Sequence, residues 1–197
     1  MNETKNRQDS MLYRFVRGVF DYLELFAFSV LAVFLIFTFG IRTCQVDGQS
    51  MENTLFDKEY LIIRSFAYEP KQDDIIVFHG LDKTLVKRVI AVGGQEVIID
   101  TKNNQITVDN VVYADTHAVL KNPSTDEITD KYLPYLFHSE LNSDGLYKVT
   151  VPEGKLFVMG DNRNNSADSR DPRVGFIDER SVLGKVILRV SPFTVFS

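Results

Sequence analysis

Apolar side chains are concentrated near the amino terminus of this chain. No charged residue occurs over positions 25–41, and this run, LFAFSVLAVFLIFTFGI, holds five of the fifteen phenylalanines. A helix of this length is about 26 Å long, close to the thickness of about 30 Å of the hydrocarbon layer of a bilayer. The run lacks the polar face that a surface helix would show. It therefore predicts a transmembrane helix over 25–41, with a buried helix of a soluble core as the alternative.

The flanks of the apolar run indicate a retained anchor with a defined orientation. A cleavable signal would end in an A-x-A pattern of small residues, whereas GIRTCQV follows this run. The basic residues that precede the run are Lys5, Arg7, Arg14 and Arg17. Immediately after the run there is one, Arg42. The positive-inside rule then predicts that residues 1–24 are cytoplasmic and that residues 42–197 lie on the outer face of the cell membrane.

Beyond the anchor, the pattern changes to short segments rich in β-branched residues. The predicted strands are 60–64, 74–78, 84–91, 96–100, 105–108, 146–151, 155–159 and 182–190. Asp109 and Asn110 predict a two-residue hairpin turn, and SMENTL predicts a short helix that starts at Ser50. These lengths and spacings predict a mainly β, antiparallel fold.

A more polar stretch interrupts the series of strands. It contains Asn122-Pro123-Ser124 and the run 142–145, and it is typical of an insertion. The predicted organisation is one β domain formed by residues 42–100 and 146–197, with residues 101–145 inserted as a cap.

Composition excludes several classes of function. The net charge of −5, from 22 basic and 27 acidic residues, argues against a nucleic-acid-binding protein. The single cysteine, Cys44, excludes an intramolecular disulfide. His79, His117 and His138 form no pair with metal-ligand spacing. We therefore expect no metal and no cofactor.

The remaining candidates for catalysis are side chains with a hydroxyl or an amine. Ser50 precedes the predicted short helix, so main-chain N–H groups near its hydroxyl could stabilise an oxyanion; the alternative is a simple helix cap. Lys87 and Arg88 are adjacent cations within an apolar strand, and they must face opposite sides of the sheet. The alternative for this pair is a solvated edge strand, which protects against aggregation.

Four motifs follow one another along the chain. They are Gly48-Gln49-Ser50-Met51, DIIVF at 74–78, Lys87-Arg88-Val89 followed by Gly93-Gly94, and the polar run GDNRNNSADSR at 160–170. This ordered set resembles that of the type I signal peptidases, in particular the Gram-positive ones, and it extends from the anchor nearly to the carboxyl terminus. Two stretches differ from the family pattern: Asn53 replaces the usual proline, and AVGGQ at 91–95 replaces G-x-P-G-D.

The resemblance implies a role for each matched residue. Ser50 would be the nucleophile, Lys87 the general base and Ser166 the group that orients the lysine. The residues implied in supporting roles are Gly48, Met51, Arg88, Asp161, Asn165, Asp168 and Arg170. The four charged residues among them would form an ion-pair network. Gly48 stands where some members carry a side chain that contributes to the oxyanion hole, as in many Gram-positive relatives.

The implied fold and activity agree with the pattern of strands. The family fold has two antiparallel β-sheet regions with a cap between the lysine motif and the last motif. The implied activity is the removal of signal peptides from exported preproteins through an acyl-enzyme, with the signal peptide and membrane lipid as partners. A lysine base would need its pKa lowered by about 3 units through desolvation. The alternative is a non-catalytic relative that serves as an assembly factor or chaperone for surface proteins.

Overall fold

A computed structural model describes residues 2–80, 82–100, 103, 105–118 and 146–196. The chain divides into two compact units, Met1–Ile41 and Arg42–Ser197. Most of the predicted cap, including all of residues 119–145, lies outside the described residues.

The first unit is one long helix. Helix α1 spans Asn2–Leu35, and a π-helical turn, Ile36–Gly40, continues it. The helix begins far upstream of the charge-free run because no proline interrupts residues 2–24, which contain good helix formers. The stretch Tyr13–Leu35 is 23 residues long, and none of it is buried. An apolar helix of this length fits a single membrane span.

The rest of the chain is mainly β and antiparallel, as predicted. Its described strands are β1 (Ile41–Gln45), β2 (Tyr60–Arg64), β3 (Ile75–Gly80), β4 (Lys83–Val92), β5 (Glu96–Asp100), β6 (Gln105–Val108), β7 (Val111–Val112), β8 (Leu146–Thr150), β9 (Lys155–Met159), β10 (Ile177–Asp178), β11 (Val182–Arg189) and β12 (Thr194–Val195). Each of the eight predicted strands is confirmed, with bounds that differ by two residues at most.

The larger sheet has the order β1-β2-β11-β3-β4-β9-β10, with β12 added beside β11. Strands β3 and β4 lie in its interior, and consecutive residues along both strands are buried, so both of their faces are covered. This burial explains their nearly continuous apolar sequences. This position places the two adjacent cations of β4 inside the protein.

The smaller sheet has the order β7-β6-β5-β8. Strand β5 alternates between buried and more exposed residues, with Val97 and Ile99 fully buried in a core shared with Phe157 of β9. The hairpin between β6 and β7 turns at Asp109 and Asn110, which have φ of 50° and 64°, so the predicted turn is confirmed. The sheet joins β5 to β6 and β7, on the two sides of the predicted boundary between domain and cap.

The turn between β4 and β5 accounts for the glycines of AVGGQ. Gly94 has φ of +84°, which favours glycine, and its N–H donates to Val151 O at 2.8 Å. A β-carbon on Gly93 would lie 3.0 Å from the main chain of Glu153 and Gly154, closer than side chains pack. The β4–β5 turn therefore packs closely against residues 151–154, which connect β8 to β9. Its glycines allow this contact in a segment that lacks the usual proline.

The predicted short helix at Ser50 is wrong. The segment forms successive turns, in which the N–H groups of Thr54 and Leu55 both donate to Met51 O at 2.8 Å. Met51 and Leu55 point into the core beneath the larger sheet. Burial of these two large side chains stabilises the observed turns, since each contributes roughly 1.5–3 kcal/mol.

Candidate active site

The turn that carries Ser50 connects β1 to β2 and is held from two sides. Met51, with 1% of its surface exposed, anchors the turn in the core, and Gly48 N–H donates to Asp57 Oδ1 at 2.8 Å. Gly48 has φ of +98°, a conformation that disfavours any other residue. On the other side, Asn162 N–H donates to Ser50 O at 3.0 Å, and Asn162 Nδ2 donates to Gln49 O at 3.0 Å. The main chain on both sides of the hydroxyl is therefore fixed.

Lys87 reaches Ser50 from the interior strand β4. Its side chain is 2% exposed, its Nζ lies 2.6 Å from Ser50 Oγ, and Nζ donates to Val86 O at 2.9 Å. β4 pairs with β3 on one side and with β9 on the other. β9 reaches β4 only from Arg88 onward, but Lys87 and Arg88 are both buried, so the alternative of solvated cations is excluded.

Burial changes the acidity of the amine. Desolvation lowers the pKa of Lys87 from the ordinary lysine value to about 8, and the charges of Lys83 and Arg170 act in the same direction. Asp168 and Asp161 oppose this shift without cancelling it. A minor fraction of Lys87 is thus neutral at pH 7 and most of it above pH 8, and the neutral amine can accept a proton from the hydroxyl that it contacts.

Arg88 faces the opposite side of β4 and pairs with Asp161. Its Nε and Nη2 donate to the two carboxylate oxygens at 2.9 and 2.8 Å, and both side chains are almost completely buried. Thr54 Oγ1 donates to Asp161 Oδ2 at 2.5 Å. The pair thus connects the strand of the lysine to the end of the nucleophile turn.

Arg170 and Asp168 form the second buried pair. Arg170 donates to both carboxylate oxygens at 2.8 Å, and Gly160 N–H donates to Asp168 Oδ2 at 2.9 Å. Burial alone would raise the pKa of Asp168, but the Arg170 guanidinium and these hydrogen bonds lower it. The carboxylate is therefore ionised and holds both ends of the loop 160–170.

Gly160 lets the loop approach the main chain of Ser50 closely. A β-carbon at this position would collide with Ser166 Oγ and with Ser50 O. Ser166 Oγ is buried beside Gly160, whereas Asn165 is exposed and contributes its N–H to Asn162 O at 3.0 Å. Ser166 Oγ makes no hydrogen bond to the Lys87 amine in this structure, so its role in orienting Lys87 stays a prediction.

A small cavity of about 40 Å³ opens beside the Ser50–Lys87 pair. Its lining includes the apolar side chains of Val46, Leu85 and Val86. A space of this size accepts a small side chain or a few water molecules.

The chain matches a known family of peptidases. A family model described as signal peptidase, peptidase S26, matches residues 19–191. The chain belongs to the signal peptidase family. The resemblance inferred from the four motifs is thereby confirmed, and the family is one of serine endopeptidases.

The chain is similar to curated signal peptidases over nearly their whole length. Signal peptidase I P of Bacillus subtilis subsp. natto is 32% identical over 173 residues, which cover 85% of this chain and 86% of that protein. Signal peptidase IB of Staphylococcus aureus (strain COL) is 29% identical over 186 residues, 91% of this chain and 93% of that protein. A crystal structure of a signal peptidase I from Enterococcus faecalis V583 is 30% identical, with a TM-score of 0.42, and covers 60% of this chain and 97% of that chain.

Two residues of this signal peptidase site were not predicted from the sequence. Asn162 lies inside the last motif and supplies two hydrogen bonds to the turn of Ser50, while Thr54 connects that turn to Asp161. The polar character of the motif was a signal for Asn162. No local pattern distinguishes Thr54, because its partner is 107 residues away.

Proposed function

We propose that this signal peptidase is a membrane-bound serine endopeptidase that removes amino-terminal signal peptides from exported preproteins, with Ser50 as nucleophile and Lys87 as general base. The observation that carries the proposal is the distance of 2.6 Å between Ser50 Oγ and the amine of a buried lysine. A buried lysine is costly, and its lowered pKa gives it a use in proton transfer.

The reaction proceeds through a covalent intermediate. Neutral Lys87 accepts the Ser50 proton while Oγ attacks the scissile carbonyl, and main-chain N–H groups of the nucleophile turn stabilise the oxyanion. Lys87 then donates the proton to the leaving amine, which departs and leaves an ester on Ser50. Water deprotonated by Lys87 hydrolyses this ester and regenerates the free hydroxyl.

The substrate is held as an extended strand beside the first half of β4. Within the described residues, β9 pairs with β4 from Arg88 to Val92, so the side of β4 at residues 83–87 has no strand partner there. An extended peptide can bind this free edge through its main chain. The cavity of about 40 Å³ beside Ser50 then selects a small side chain before the cleaved bond.

The remaining matched residues support this pair. Arg88, Asp161, Asp168 and Arg170 keep the lysine strand and the loop 160–170 in place, and Ser166 orients the Lys87 amine. Met51 and Gly48 fix the turn of the nucleophile, and Asn165 closes the turn that presents Asn162.

The orientation in the membrane follows from charge. The basic residues ahead of the apolar helix place the amino terminus in the cytoplasm and the β domain on the outer face. Membrane lipid surrounds the helix, and the net charge of −5 disfavours nucleic acid as a partner. A non-catalytic assembly factor would need neither the buried lysine nor its contact with Ser50, so we favour the enzyme.

Cleavage of preproteins tests the proposal directly. The full chain in detergent is incubated with a panel of preproteins, and the products are mapped by mass spectrometry. We expect one cut in each, after a small residue near the end of the signal peptide, and no cut by the Ser50→Ala protein. Preproteins that remain intact with the unaltered enzyme would exclude the proposed function.

The pH dependence should report the state of Lys87. Because the base must be neutral and its pKa is about 8, kcat/KM is expected to rise up to tenfold per pH unit below pH 8 and to level off above it. The measurement uses a signal-peptide substrate between pH 6 and pH 10. A profile that is flat between pH 6 and pH 9 would show that another group is the base.

A further inference from the structure

Residues 113–115 leave the smaller sheet just after β7. Tyr113 N–H donates to Ile106 O at 2.8 Å, so this segment begins as an extension of the β6–β7 hairpin. The Tyr113 ring is 8% exposed and belongs to the core of the smaller sheet. The position of the segment is therefore determined by a part of the fold that contains neither Ser50 nor Lys87.

Asp115 pairs with Arg163 inside the last motif. Arg163 is 2% exposed, and its Nη2 donates to Asp115 Oδ1 at 2.7 Å while Nη1 contacts the other carboxylate oxygen. A bidentate pair of this kind is both strong and directional. Loss of the carboxylate charge would leave a buried guanidinium without its counterion, which is costly.

The Arg163 side chain leads to the nucleophile in two steps. Its Nε donates to Gly160 O at 3.0 Å, and its own carbonyl accepts from Arg170 Nη2 at 2.7 Å. Both contacts fix the main chain around Asn162, the residue that binds the turn of Ser50. Asp115 thus acts on Ser50 through the loop 160–170.

Tyr113 makes a second connection, toward the lysine. Its hydroxyl donates to the Asp73 carboxylate, and Asp73 O accepts from Arg88 Nη1 at 2.9 Å. Arg88 is adjacent to Lys87 on β4. The segment is therefore connected both to the loop 160–170, which holds Ser50, and to strand β4, which carries Lys87.

We infer that residues 113–115 form a positioning segment, in which Asp115 and Tyr113 hold Ser50 and Lys87 at reacting distance. The inference deepens the proposed function and rests on it for its kinetic consequence. Among the described residues, neither side chain lines the cavity beside Ser50. A defect in this segment should therefore lower kcat and leave KM nearly unchanged, since a small misplacement of reacting groups is costly in rate.

Three variants of the full chain test the inference. Asp115→Asn keeps the shape of the side chain but removes its charge, and Tyr113→Phe removes one hydroxyl. Glu96→Gln is the matched control, because Glu96 pairs with Lys148 within the same smaller sheet, away from Arg163. We expect kcat to fall about tenfold in Asp115→Asn and about threefold in Tyr113→Phe, with KM within twofold. Glu96→Gln should match the unaltered enzyme.

Hydrogen–deuterium exchange provides a readout that does not depend on peptidase activity. We expect peptides covering residues 160–166 to exchange faster in Asp115→Asn than in the unaltered protein or in Glu96→Gln. If the unaltered protein cuts no preprotein, the proposed function fails, and exchange still decides whether Asp115 holds the loop.

The inference is overturned if kcat of Asp115→Asn stays within twofold of the unaltered enzyme, or if exchange over residues 160–166 is unchanged. It is also overturned if the kcat deficit disappears well below the unfolding temperature, because Asp115 would then act on stability alone.

Discussion

Ser50→Ala and Lys87→Met are each expected to lower the rate of signal-peptide cleavage by a factor on the order of 10⁴ to 10⁶. The first change removes the attacking oxygen. The second removes the amine 2.6 Å from it and leaves a side chain of similar volume in the same buried space. The two residues act as a unit, so the double variant should be no slower than either single one. Rates are compared at pH 9, where Lys87 of the unaltered enzyme is neutral.

Lys87→Met should make the fold more stable, although it lowers the rate of cleavage. At pH 7, below the pKa of about 8, the amine is mostly charged in the folded protein as well as in the unfolded one. Its buried charge therefore destabilises the fold, and this cost fades as the pH rises through 8 toward the ordinary lysine value. We expect Lys87→Met to raise the free energy of unfolding by about 2 kcal/mol at pH 7.

Lys148→Met is the matched control, since Lys148 is a lysine on strand β8 whose side chain is 60% exposed. It should leave cleavage unchanged and show no gain in stability. Cleavage by Lys87→Met within tenfold of the unaltered rate would contradict the assignment of the base.

Asp161→Asn is expected to destabilise the β domain by about 3–5 kcal/mol. The change leaves the guanidinium of Arg88 buried without a counterion, and it weakens the contact with Thr54. A loss of this size is a large fraction of the stability of an ordinary domain. It is measured by denaturant unfolding of the detergent-solubilised chain.

An exposed ion pair provides the comparison for Asp161. Asp47 contacts Lys58 at 2.8 Å, but their side chains are 84% and 61% exposed. Water and salt screen such a pair, so Asp47→Asn should have a far smaller effect on unfolding than Asp161→Asn. Equal losses in the two variants would show that the buried pair has no special structural role.

The strands and the two residues of the Ser50–Lys87 contact could be picked out because their signals are local. The β-branched runs and the Asp109-Asn110 turn specify strands and a hairpin within a few residues. The motifs likewise carry Ser50 and Lys87 in short, recognisable contexts. For these elements the sequence pattern and the packed structure agree.

The features that were missed depend on contacts between distant parts of the chain. Adjacent cations at 87 and 88 are compatible with a solvated edge strand, and only the packing of distant segments around β4 buries them. The segment at Ser50 has the sequence of a helix start, but it forms successive turns that are held by contacts with distant residues such as Asn162. Asp115 and Arg163 are 48 positions apart, and neither has a pattern that indicates the other.

The close approach at Gly160 has a consequence for how the enzyme can vary. Because no layer of side chains separates this residue from the main chain of Ser50, the two segments touch as bare backbone. Even alanine at 160 would force them apart and carry the hydroxyl away from the amine. Substitutions in the walls of the cavity can therefore alter substrate preference, whereas any substitution of Gly160 would displace Ser50.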